Sequence, residues 1–201
     1  MGLMPDSAVL LNRHIHAVGG LKGCHMMELG NQQMMMWPPP IEEGSAAKLW
    51  FEQQGVAEHV SIDINGLLGA IPMDLSQPIT KLEWQDAFDV TTDFGTSEHV
   101  PSLYECRANV HRFTRPGGLM VFKNPKTGHW PNHGHHYFTK RHYERLAEVC
   151  RYRVLEISEH PACNNFVDGW EICAVLQKRA TADFISQPAF AQVCDQTVFT
   201  S

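Results

Sequence analysis

The sequence predicts a doubly wound α/β domain: a mostly parallel sheet with helices on both faces and an antiparallel hairpin at the C-terminal end. Three observations predict it. Short apolar runs alternate with helical patterns up to about residue 150, the order that makes parallel strands joined by crossover helices. Four of these runs end on or beside a carboxylate: Glu28 in MMELGN, Asp63 in VSIDING, Asp74 in IPMDLS and Asp93 in VTTDFGT. Two further apolar runs, at 152–158 and 170–178, follow one another with no helical pattern between them, so they should pair antiparallel.

The elements follow in order. Asp6 or Ser7 is placed to cap a helix over 6–19, with Val9, Leu10, Ile15 and Val18 as its stripe and Gly19 and Gly20 as its stop. The first strand covers 23–28. Pro38, Pro39 and Pro40 forbid a continuous helix just beyond it, because an interior proline removes a hydrogen bond and clashes with the preceding turn. Ser45 is placed to cap a helix over 46–54 that ends at Gly55. The second strand is 59–63, and a short third lies near 71–74. The segment SQPITKLEWQDAF reads as a turn and a weak helix. FDVTTDF at 88–94 is the fourth strand, and a helix over 99–114 presents Leu103, Cys106, Val110 and Phe113 on one face. RPGG is a turn into a fifth strand at 119–123. A loop rich in Pro, His and Gly fills 124–136. Thr139 then opens a helix with Tyr143, Leu146, Ala147 and Cys150 on one side. The tail, 180–201, has weak periodicity and reads as a docking arm or a partly mobile segment.

Length and composition bound the rest. The 201 residues suit a single domain, with a core over about 20–178, an N-terminal helix within 1–19 and a tail over 179–201. Hydrophobic residues make up 43%, an ordinary value for a globule. The net charge of −6 supplies no basic face for nucleic acid; Lys140, Arg141 and Arg145 read as a solvated helix face. The six cysteines form no CxxC pair and several lie inside apolar runs, which points to reduced, buried thiols and a cytoplasmic setting. No apolar stretch reaches the roughly 20 residues of a membrane span. Asn12, Arg13, His14 and His16 interrupt any signal-like run at the start.

With the strands and acids in this order, the chain resembles the class I S-adenosylmethionine-dependent methyltransferases, a superfamily with a Rossmann-like fold. MELGN resembles their first motif, SID the acid ending strand two, MDL the acid-plus-apolar pair that frames adenine, FDVTTDFGTSEH the strand-four motif, and RPGGLMVF the turn into strand five. The likeness spans about 20–178. It implies S-adenosyl-L-methionine as cofactor and a small molecule as methyl acceptor. It also implies a set of cofactor contacts. Glu28 would lie near the methionyl amine, Gly30 and Asn31 would form the close turn, and Asp63 would accept the ribose hydroxyls. Asp74 and Leu75 would frame the adenine, and Asp93, Phe94 and Gly95 would line the floor beside the methionine. Read as residues alone, Gly30 lets the backbone approach a ligand closely, and an acid ending strand two suits a ribose. His99 is the candidate general base for transfer to oxygen. Ser97 and Glu98, beside it, could equally cap the following helix. No Asn-Pro-Pro-aromatic motif follows strand four, which disfavours a DNA amino-methylating enzyme.

The chain departs from the family's pattern at GNQQ, where Gln32 and Gln33 stand in place of small residues, in the path expected for the cofactor. A binding or structural protein that keeps the fold without the chemistry is therefore a second reading. A third is a metal-dependent hydrolase using His129, His133, His135 and His136. Against it, the spacing of these four matches no zinc signature and no cysteine accompanies them. The loop more simply covers the mouth of a pocket, with Trp130, His135 and Tyr137 touching a substrate or the next helix. An apolar face at 184–199 could cover a partner subunit in a homo-oligomer.

Overall fold

The computed structural model of the chain describes residues 2–162, 169–194 and 198–200. Seven strands form one sheet: β1 His25–Leu29, β2 Glu58–Asp63, β3 Ile71–Pro72, β4 Phe88–Phe94, β5 Thr114–Pro125, β6 Arg153–Pro161 and β7 Trp170–Gln177. Their order is β3-β2-β1-β4-β5-β7-β6. The first five run parallel, and β7 pairs antiparallel with both β5 and β6. This is the expected doubly wound sheet with its terminal hairpin.

Alternation along the strands divides the core into two layers. Met26, Val90, Val121 and Val175 face one side, where α1 (Pro5–His14) and α2 (Ala47–Gln53) supply Leu10, Leu11 and Phe51. Met27, Met120 and Phe122 face the other, covered by α3 (Leu103–Phe113), α4 (Lys140–Val149) and α5 (Gln187–Cys194). Adjacent residues of buried parallel strands serve opposite layers, so these strands read as nearly continuous apolar runs. The stripe expected on α3 is buried, Leu103, Cys106, Val110 and Phe113, as are Tyr143, Leu146 and Ala147 on α4, whereas Cys150 lies just past α4 and is partly buried.

Several local expectations change. The first helix ends at His14 and a 3₁₀ turn carries on to Val18; Pro5 starts it. Asp6 and Ser7 do not cap it, because Asp6 reaches across to Lys123. Val9 is exposed, and Leu11 takes its expected place inside. Ser45 donates to the Glu42 carbonyl instead of capping α2. Ser102 caps α3 and Thr139 caps α4 through their side-chain oxygens. RPGG is not a free turn but an irregularity inside β5. Thr114 pairs with Phe88 and Leu119 with Val90, so the four residues between are looped out of the ladder.

The tail docks on its own domain. Phe190 and Val193 of α5 are buried against α3 and α4, with Phe184 and Ile185 packed beside them. The apolar face expected at 184–199 is, as far as it is described, packed against the chain's own core. Cys24, Cys106, Cys150, Cys173 and Cys194 are free thiols; Cys163 lies outside the described residues. No helix among the described residues is long and apolar enough to cross a membrane.

Candidate active site

Strands β1, β2 and β4 finish side by side, with Leu29 opposite Ile62 on one flank and opposite Asp93 on the other. The strand order reverses here, and open sheets bind ligands in the crevice outside such a switch point. Two clefts open along this edge. One, of about 450 Å³, lies over β2 and β3 and is lined by Gly30, Asp63, Asp74, Leu75, His99 and Val100. The other, of about 620 Å³, is lined by Met4, Phe94, Gly95, Glu98, Lys123, Trp130 and His133.

The first cleft is held by short polar contacts. Gly30 adopts φ +79°, a left-handed conformation that favours glycine, and its N–H donates to the Ile62 carbonyl at 2.7 Å. This ties the turn after β1 to the end of β2. The Asp63 carboxylate accepts the Asn31 amide at 3.0 Å and the Asn65 amide at 3.0 Å. It is buried yet lines the cleft, pinned by backbone with acceptor capacity to spare. Asn31 does not line either cleft; its side-chain amide donates to Asn65 Oδ1 and the Leu67 carbonyl. Asp74 is exposed and accepts from the Ser76 amide and hydroxyl, bonds that hold its carboxyl below the usual range. Leu75 is buried below it.

Glu28 and Asp93 lie elsewhere than expected. Glu28 is buried in the α2 layer, with its Oε2 3.7 Å from His59 Nε2, and His59 stacks on Phe51. Burial pushes this carboxyl up, against the partial relief from His59. Asp93 turns toward α3. Its oxygens accept the Thr96 and Ser97 amides, the Ser97 hydroxyl at 2.6 Å, Asn124 Nδ2 at 3.2 Å and the Arg107 guanidinium at 2.7 Å. Arg107 is itself buried over the Phe122 ring and donates to the Tyr143 hydroxyl. Neither acid lines a cleft, and only the neighbours of Asp93, Phe94 and Gly95, reach the floor of the larger one. Both acids sit at the penultimate position of their strands, where the pleat still directs a side chain into a helix layer.

Gln32 does not block the clefts. Its side-chain amide folds beneath them, donating to the Leu29 carbonyl at 3.2 Å and to Thr96 Oγ1 at 3.3 Å. Gln33 is exposed, and Gln33–Met34 forms a short parallel ladder with Gly2–Leu3. This ladder holds the N-terminal segment beside the larger cleft, where Gly2, Met4 and Ser7 form part of the wall.

The seam between the clefts is made by the adjacent pair Glu98 and His99 together with His133, which arrives from a later loop. His99 is half-exposed and lines the smaller cleft; burial first, then His133, holds its imidazole below the ordinary range. Glu98 is buried, and burial pushes its carboxyl up. His133 Nε2 approaches Glu98 Oε1 at 3.8 Å, and the His99 and His133 ring centroids are 4.9 Å apart. The His135 amide donates to the Glu98 carbonyl at 2.7 Å, and the amides of His133 and Gly134 donate to the Tyr137 hydroxyl. Gly134 permits this approach, since a Cβ there would lie 2.8 Å from the Glu98 carbonyl oxygen. The four loop histidines do not converge on one another: His136 Nε2 bonds the Val100 carbonyl and His129 lies against Trp170. Sequence reading also missed Lys123, at the end of the apolar run LMVFK. It is buried at the floor of the larger cleft, 2.9 Å from both Glu171 and Asp6.

No protein-family model matches the sequence, and no curated protein matches it. Solved structures do. A 1,6-didemethyltoxoflavin-N1-methyltransferase of Burkholderia thailandensis, with bound 1,6-didemethyltoxoflavin and S-adenosylhomocysteine, is similar over 87% of this chain and 77% of its own (TM-score 0.61, 16% identity). A putative methyltransferase of Bacillus halodurans is similar over 88% and 100% (TM-score 0.60, 11% identity). The cyclase SpnF is similar over 87% and 80% (TM-score 0.64, 10% identity). The fold is that of the class I S-adenosylmethionine-dependent methyltransferases. At such identities the likeness concerns the fold, and the cyclase among these structures illustrates that one fold hosts more than one chemistry.

Proposed function

We propose that this protein is a methyltransferase that binds S-adenosyl-L-methionine and methylates a small molecule, with an oxygen acceptor the reading the site supports best. One observation carries the proposal: Asp63 ends β2 in a cleft at the sheet's switch point, fixed by two backbone amides and facing a glycine turn. An acid so placed suits the two hydroxyls of a ribose. The residues fit the cofactor on three counts. Gly30 presents backbone without a side chain, Leu75 and Val100 give apolar walls for a flat ring, and Gln32 is folded out of the way. Asp74 lines the same cleft and would accept from the ring's exocyclic amine. The methyltransferase structures that bind S-adenosylhomocysteine, sinefungin or S-adenosylmethionine support the same cofactor for this fold.

When bound, the cofactor supplies an activated methyl group with a good leaving group, so positioning accounts for much of the catalysis. The protein's part is to hold the acceptor in the larger cleft, between Phe94, Trp130 and the N-terminal wall. His99, at the seam and held toward its neutral form, is placed to take a hydroxyl proton.

Calorimetric titration with S-adenosylmethionine tests the reading. Binding in the micromolar range is expected. A folded protein that shows no heat of binding at millimolar cofactor would overturn it and leave a methyltransferase-fold binding protein.

A further inference from the structure

The geometry points to a binding site for one divalent transition-metal ion at the seam of the two clefts, with Glu98, His99 and His133 as its ligands. Among the described residues, these three form the one group of His, Cys, Asp or Glu whose donor atoms all lie within 4.8 Å of one another. Glu98 Oε1 is faced by His133 Nε2 at 3.8 Å and His99 Nε2 at 3.9 Å. Both separations exceed a hydrogen bond. They approach the spacing of donors that share one ion at bonds of about 2.0–2.2 Å, and small rotations of two half-exposed imidazoles close the difference.

The surroundings are those of a built site. Glu98 is 1% exposed, and its other oxygen is held by Asn124 Nδ2 at 3.2 Å, which fixes the carboxylate plane. Asn124 is held in turn by Asp93 and Tyr143. The loop carrying His133 is bonded to the Glu98 backbone and to Tyr137, so it is preset rather than free. Carboxylates in such a second layer orient ligands and tune a metal.

Two imidazoles and one carboxylate suit zinc, iron, cobalt or nickel better than magnesium or calcium, which prefer oxygen alone. Three protein ligands leave a position open, as in catalytic sites and unlike closed structural ones. The three ligands belong to both clefts, since Glu98 and His133 line one and His99 lines the other. A water or an acceptor's hydroxyl oxygen completes the shell, and an oxygen bound to such an ion is far more acidic than a free one. The acceptor class is then a small molecule with a metal-coordinating oxygen. The site itself does not depend on the methyltransferase reading; this role for the ion does. With the ion bound, His99 is a ligand and does not act as the base.

The test uses tag-free protein stripped with chelator and titrated with Co(II), followed by visible absorption and calorimetry. The expected result is one ion per chain with the d–d bands of a low-coordinate nitrogen–oxygen site. His133→Ala and Glu98→Gln should each weaken binding more than about tenfold, while His129→Ala leaves it unchanged. His133 lies on an exposed loop, so its variant folds even if the buried Glu98→Gln does not. Cobalt binding equal in wild type and His133→Ala, or absent from wild type, would sink the site. The separate cofactor titration then shows which reading failed. Cofactor binding without cobalt binding removes the metal alone; cobalt binding without cofactor binding keeps the metal and removes the role given to it.

Discussion

Strands β2 and β4 flank β1 in the same sheet, and each carries an aspartate at its carboxyl end. Asp63 is the last residue of β2, and its carboxylate stays in the cleft, held by two backbone amides. Asp93 is the penultimate residue of β4, and its carboxylate is drawn under the site onto Arg107, Ser97 and Asn124. A difference of one residue in where the strand stops separates a ligand-facing acid from an interior one. The same rule places Glu28, penultimate in β1, against His59, and Asp74, two residues beyond β3, in the open. At the β2 end backbone fixes a group for a ligand to use. At the β4 end the acid organises the loop that carries Glu98 and His99.

The largest expected effect lies at the β4 end. Asp93→Ala leaves a buried guanidinium without its partner and should cost about 3–5 kcal/mol of stability, read by chemical denaturation. A loss below about 1 kcal/mol would place Asp93 with the cleft acids after all.

A second inward-facing group should show in the pH dependence. His111 donates from Nε2 to the Ala182 carbonyl at 2.7 Å and accepts from the Tyr152 hydroxyl at Nδ1, 2.6 Å away. Burial pushes its imidazole down to about 4 from 6.5. The folded state therefore holds the neutral ring, and the unfolded state binds a proton first. Stability from this group is complete above pH 6.5 and is lost as pH falls toward about 4. The loss is at most roughly 3 kcal/mol. Denaturation midpoints of wild type and His111→Gln across this window should converge as the pH drops; parallel curves would show that His111 does not set the slope.

At the β2 end the ranking of effects reverses. Asp63→Ala should lower cofactor affinity roughly tenfold to a hundredfold, about 1.4–2.8 kcal/mol, with a smaller change in stability. Unchanged calorimetric affinity would remove Asp63 from the site. Glu28→Gln sharpens the same contrast. Since Glu28 lines no cleft, affinity should stay within about twofold, and a larger drop would return it to the cofactor's reach. Asp74→Asn keeps an acceptor for Ser76 and should move affinity least, by less than about threefold.

Of the nine cofactor contacts the resemblance implies, Gly30, Asp63, Asp74, Leu75, Phe94 and Gly95 line the two clefts, whereas Glu28, Asn31 and Asp93 line neither. The first six were legible because each follows an apolar run, and a parallel sheet aligns the ends of such runs. Glu28 and Asp93 looked equivalent to them, since an acid near a strand's end does not reveal on which residue the strand stops. Lys123 was hidden as the polar end of an apolar run, its partners 48 and 117 positions away. The Glu98, His99 and His133 group was invisible for a related reason: two members are adjacent in the chain, and the third arrives from a loop 34 positions on.

By itself the sequence determined the α/β alternation, the parallel sheet, the closing hairpin and the buried faces of α3 and α4. These follow from local periodicity and from chain connections that must be short and right-handed. The tertiary structure decided which way each strand-end acid points, that Gln32 folds beneath the clefts, and that the tail covers its own core. Those outcomes depend on pleat parity and on partners far along the chain, and neither is written in any local window of residues.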